Sequence, residues 1–92
     1  MLKQLGRDMA RKLQQRLMEL SAAETLADIS HLPPPRCHEL TGKRSGQFSV
    51  DLEHPYRLLF IPADEPVPLK GDGGIDLSQV REIEIIGVVD TH

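Results

Sequence analysis

The sequence predicts an α+β domain in which an N-terminal helical hairpin packs on one face of a mainly antiparallel sheet. Through residue 20, apolar side chains recur every three or four positions, the helical period. From residue 37 onward the period shortens to two, in stretches separated by glycine and proline. Helices come first and strands after, which segregates the helices to one side of the sheet. The 92 residues make one domain, 1–92, and a chain this short buries only about two-thirds of the surface its unfolded form exposes. Its stability is therefore expected to be a few kcal/mol, low enough for a binding partner to matter.

Residues 2–20 place Leu2, Leu5, Met9, Leu13, Leu17 and Leu20 on an arc of roughly 120°, wide enough to cover a sheet face. The opposite face carries Lys3, Arg7 and Arg11, which suits either a solvated surface or contact with RNA or an acidic partner. Arg16 falls just inside the apolar arc and is expected to snorkel to its edge or pair with an acid of the sheet. Ser21 and Glu24 have capping-box spacing and predict a second short helix through Asp28, with Ala22, Leu26 and Ile29 on its buried side. Leu32-Pro33-Pro34-Pro35 then stops helix formation and reads as a stiff, extended connector.

Cys37 to Phe60 reads as three short strands joined by two tight turns. Phe48, Val50 and Leu52 alternate with Gln47, Ser49 and Asp51, and Leu58 to Ile61 form an apolar run. Thr41–Gly46 is a hairpin loop whose glycines, Gly42 and Gly46, can take positive φ with Lys43 and Arg44 at the tip. His54-Pro55 ends the second strand, because proline cannot donate to a ladder. Residues 62–78 are rich in breakers and read as a mobile insertion without chemistry of its own; its glycines lack the order of a phosphate-binding P-loop, and Asp72 and Asp76 do not complete a calcium loop. The last strand is Val80–Val89, with Gly87 marking a bulge or a close backbone approach.

The net charge of −3 argues against a generic nucleic-acid binder, but its distribution is uneven. Residues 1–20 hold five basic and two acidic side chains, a local +3 that leaves −6 for the rest. Much of that acid lies in Asp64, Glu65, Asp72 and Asp76, away in sequence from the basic loop. The single cysteine, Cys37, permits no internal disulfide, fits a reducing cytoplasm and reads as a small buried hydrophobe. No run of apolar residues approaches the length of a membrane span and no signal-peptide core is evident, so a cytoplasmic location is expected.

The ordered set His38-x-Leu40-x-Gly42-Lys43-x-x-Gly46-x-Phe48-Ser49-Val50, followed by Tyr56-Arg57-Leu58-x-Phe60 and a terminal Asp90-Thr91-His92, resembles the RelE/ParE toxin superfamily. Within it the resemblance is to the HigB-like plasmid maintenance killer group, over roughly residues 5–92. Thr91 stands where that family usually carries tyrosine. Family members usually begin with a further strand ahead of the long helix, and its apparent lack here would leave an open sheet edge able to pair with another chain.

The resemblance implies the toxin of a type II toxin–antitoxin system, a ribosome-dependent mRNA endoribonuclease that uses the RNA's own 2′-hydroxyl and needs no metal or other cofactor. It implies His38 as general base or acid, Arg57 on the scissile phosphate, and Asp90 and His92 sharing or orienting the proton work. Two residues apart on a strand, Asp90 and His92 share a face. The residues read by themselves also allow a half-buried strand histidine at 38, an ion pair of Arg57 with Asp90 or a glutamate, and a frayed terminal His92. Lys43 and Arg44 would hold RNA phosphates, and Tyr56 would stack on a base or pack in the core. Implied partners are a helix-turn-helix antitoxin, the ribosome and mRNA, with DNA reached only through the antitoxin and no membrane. A ParE-like inhibitor of DNA gyrase and a catalytically weakened antitoxin-binding module are the alternatives.

Overall fold

The computed structural model describes the backbone of residues 2–90 and side chains from Gly6 to Asp90. The side chains of Leu2, Lys3 and Leu5, and all of Thr91 and His92, lie outside the described residues. The helix α1 spans Leu2–Ala22, and four strands follow: β1 His38–Glu39, β2 Phe48–Asp51, β3 Tyr56–Pro62 and β4 Ile83–Asp90. The strands form one antiparallel sheet in the order β1-β2-β3-β4.

The helical hairpin expected from the sequence is replaced by one long helix and a single 3₁₀ turn. Ser21 does not cap a second helix; it lies inside α1, whose ladder continues to the Ala23 N–H bonded to the Glu19 carbonyl. The cap sits four residues later. Thr25 precedes the turn Leu26–Asp28, and the Asp28 carboxylate accepts from the N–H groups of Glu24 and Thr25 at 3.0 and 3.1 Å. A carboxylate reaching back from the third position satisfies these donors, which lie beyond the end of α1.

Arg16 fastens α1 to the sheet. It is 2% exposed, and its guanidinium donates to the carbonyls of Asp51 (2.7 Å) and Pro34 (3.2 Å) and to the Glu19 carboxylate. A planar group with five donors can occupy an apolar arc only where acceptors meet it from several directions. The proline segment supplies such acceptors, since proline residues bring carbonyls and no N–H. Residues 32–36 are therefore not an extended connector: the Arg36 N–H bonds back to the Leu32 carbonyl, and the Pro35 carbonyl accepts from Asp51 N–H at 2.7 Å.

The pairing register sorts the sheet residues onto two faces. Phe48, Val50, Leu58 and Phe60 form the core face, joined by Leu26, Cys37, Leu52 and Val80, with Met9, Leu13 and Leu20 of α1 packed against them. Phe48 and Phe60 are directly opposite and stack with ring centroids 5.9 Å apart, the kind of cross-strand aromatic pair that stabilises a sheet. Gly42 and Gly46 take φ of 66° and 90°, as the hairpin loop requires.

Residues 63–82 are held by specific bonds rather than forming a loose insertion. Leu69 bridges Ile75 across a turn in which Gly73 has φ 92°, and Ile75 packs on the core. The Asp64 carboxylate accepts from Arg81 and Glu82 N–H groups, and the Glu82 contact chiefly holds its carboxyl below the usual range. Val80 belongs to this segment, its carbonyl accepting from Leu26 N–H, so β4 starts three residues later than expected. The register shifts between Leu59 and Phe60, which face Gly87 and Ile85, leaving Ile86 as the bulged residue. Among the described residues β4 has no neighbour on its outer side, and Ile85, Ile86 and Val88 remain 41–49% exposed.

Replacing Arg16 by leucine keeps the apolar stem but strands the Asp51 and Pro34 carbonyls. Arg16→Leu is expected to lower unfolding free energy by about 3 kcal/mol, whereas Lys12→Ala on the exposed face should change it by less than about 0.5 kcal/mol. Urea denaturation midpoints measure both.

Candidate functional site

Opposite the core face, the register places His38, Ser49, Asp51, Arg57 and Leu59 together, because His38 faces Ser49, Ser49 faces Leu59 and Asp51 faces Arg57. Here the polar side chains connect in a chain. The His38 Nδ1 lies 3.2 Å from the Arg36 carbonyl and its Nε2 lies 3.2 Å from Arg57 Nη1. A carbonyl can only accept and a guanidinium can only donate, so these neighbours assign the proton of a neutral His38 to Nδ1 and a lone pair to Nε2. Arg57 Nε is in turn 3.4 Å from Asp51 Oδ1, and Arg36 Nη1 is 3.6 Å from Oδ2. Both are ion pairs rather than well-formed hydrogen bonds, and they gather two guanidinium groups on the Asp51 carboxylate, one of which, that of Arg57, also meets the imidazole.

The local sequence explains this convergence. Asp51 ends β2 with its main chain gripped from the helix side, by Arg16 at the carbonyl and Pro35 at the N–H. Its side chain therefore projects from the other face at a fixed place. Arg36 takes φ 47°, the left-handed region that costs a non-glycine residue energy, and this bend turns its carbonyl toward the ring two residues on.

The expected site residues divide. His38 and Arg57 are brought together. Lys43 and Arg44 lie in the exposed 3₁₀ turn Gly42–Arg44, with Arg44 donating to the Gln47 side chain at 3.4 Å. Tyr56 and Asp90 face each other across β3 and β4, which puts both on the helix-side face, away from Arg57, whose own partner is Val89. Tyr56 is half-buried and packs against the core. His92 lies outside the described residues. Among the described residues Arg57 forms an ion pair with Asp51. Asp51 and Arg36 were not singled out from sequence; the signal was there for Asp51, an acid in the same strand alternation as Ser49, while Arg36 depends on a turn that its prolines conceal.

Ser49 is fully buried and its Oγ makes no hydrogen bond among the described residues. Cys37 is buried and free, and burial pushes its thiol up to about 11. That leaves it protonated and unreactive near neutral pH. Among the described residues no helix is long and apolar enough to cross a membrane.

No protein-family model matches the chain, and neither a curated protein nor a solved structure matches it significantly.

The Cys37 shift has a stability consequence. The unfolded thiol ionises near its ordinary value of 9.0 while the folded one holds its proton to about 11. The stabilisation from burying a neutral thiol is complete below the lower value and is lost as pH rises toward the upper one. Unfolding free energy should fall between these limits in the native chain and fall less in Cys37→Ala, as followed by denaturant titration across that pH range.

Proposed function

We propose that the chain is the toxin of a toxin–antitoxin pair, a cytoplasmic, metal-independent endoribonuclease that cleaves mRNA on the ribosome. The observation that carries this reading is the contact of the His38 Nε2 lone pair with Arg57 where the non-core face of the sheet reaches solvent, His38 being exposed and Arg57 half-buried. Together they offer a proton acceptor and a phosphate-binding fork within hydrogen-bonding distance of each other, 3.2 Å apart.

In this reading the RNA phosphate takes Arg57 from His38. Nε2 then removes the proton of the 2′-hydroxyl, whose oxygen attacks phosphorus. The bond from phosphorus to the 5′-oxygen breaks, leaving a 2′,3′-cyclic phosphate and a 5′-hydroxyl. The pentacovalent intermediate carries extra negative charge, and Arg57, with Arg36 on the same carboxylate, is placed to offset it. The resemblance supplies His92 as the acid for the leaving oxygen. Lys43 and Arg44 hold neighbouring phosphates from their exposed turn, with a salt-dependent contribution. Asp90, on the opposite face, is assigned no proton transfer. A helix-turn-helix antitoxin partner rests on the same resemblance.

A second reading, a binding module that acts through an antitoxin or through gyrase without cutting RNA, is favoured by one feature, the exposed apolar edge of β4. The two are separated by mapping 5′ ends on mRNA from a ribosome-containing translation reaction. The nuclease produces cuts at defined codons that need ribosomes. His38→Ala and Arg57→Ala should each reduce cutting at least about 10²-fold while unfolding free energy moves by less than about 1 kcal/mol. Intact mRNA with translation unimpaired would give the second reading precedence.

A further inference from the structure

Beside β1 a cavity of about 340 Å³ opens between the first 3₁₀ turn and the 69–77 segment. Its walls include Phe48 and Ile75, and its polar lining includes His31, Glu39 and Lys70, with His38 shared between this cavity and the sheet-face site. The size is at the small end of ligand sites, which run from about 300 to 1,000 Å³, and so suits a nucleobase with its sugar. Apolar walls with a few polar groups match a flat aromatic ring whose faces are apolar and whose edge is polar.

We infer that this cavity is a guanine-selective base site, formed by Glu39 and Lys70 around the nucleotide next to the phosphate held at Arg57; the assignment of that neighbouring phosphate rests on the endoribonuclease reading. Glu39 Oε2 accepts from Gly46 N–H at 3.2 Å, which orients the carboxylate and leaves it further acceptor capacity. A carboxylate is matched by two adjacent donors, and guanine presents them as N1–H and the N2 amino group. Lys70, an exposed cation whose nearest acid is Asp72 at 4.0 Å, is free to turn toward the guanine O6 or N7 acceptors. Adenine would set its N1 acceptor against Glu39, and cytosine offers one amino group flanked by an acceptor. The hairpin across Leu69 and Ile75 gives the cavity its outer wall, so a segment that looks like a spacer in the sequence acquires a role.

The test is titration of the labelled full chain with guanosine, adenosine, cytidine and inorganic phosphate, followed by amide and side-chain chemical shifts. Guanosine is expected to perturb Glu39, Lys70 and Ile75 and to bind about tenfold more tightly than the other nucleosides. Glu39→Gln retains an acceptor for Gly46 N–H and should erase that preference; Ile75→Trp fills the cavity and should abolish binding of all three nucleosides. Equal binding of the nucleosides, or guanosine shifts away from these residues, overturns the site. Phosphate separates the two claims. If it perturbs Arg57 and His38 while guanosine shows no preference, the base site falls and the nuclease reading stands. If guanosine binds as expected in the cavity and phosphate leaves Arg57 untouched, the base site stands and the nuclease reading loses its support.

Discussion

The fold depends on one buried cation. Arg16 sits where the helix pattern calls for an apolar residue, and its guanidinium is tolerated because two main-chain carbonyls and a carboxylate surround it. One carbonyl belongs to Asp51 and the other to Pro34, so a single side chain joins the helix, the end of β2 and the turn before β1. Removing an uncompensated charge from water costs several kcal/mol, which makes the position specific as well as stabilising. Helix docking and site geometry are consequently one event, because the residue gripped on the helix side orients both arginines on the other.

The three prolines are part of the same arrangement. A segment without amide donors contributes only acceptors, and here these are spent on Arg16 and on the Asp51 N–H. Arg36 closes the loop, its carbonyl meeting His38 and its guanidinium meeting Asp51. The path from the helix to the imidazole passes through only a few residues: Arg16, Pro34, Asp51 and Arg36.

Periodicity made the long helix and the strand alternation visible in the sequence, and the glycines marked the loop, since each rests on local chemistry. The hairpin of helices does not form because, although Ser21 and Glu24 match a cap in spacing, the apolar pattern through Leu20 and Ala22 and the main-chain bond at Ala23 carry the helix past Ser21 and end it before Glu24. The role of residues 63–82 was hidden because bridges such as Leu69 to Ile75, and the bond from Leu26 to Val80, depend on contacts distant in the chain. At the site, His38 and Arg57 were implied by the motif resemblance, and the sheet register brings them together. Asp90 did not join them, because its face is decided by a register with Tyr56 that no local pattern specifies.

Arg36 shows what this arrangement does to the energy of the fold. Left-handed backbone at a residue with a side chain costs about 1 kcal/mol or more, and here it is placed where its carbonyl orients His38. Glycine at that position would release the strain and also remove the pairing with Asp51. An arginine at this position therefore places the site and the fold in opposition at a single residue.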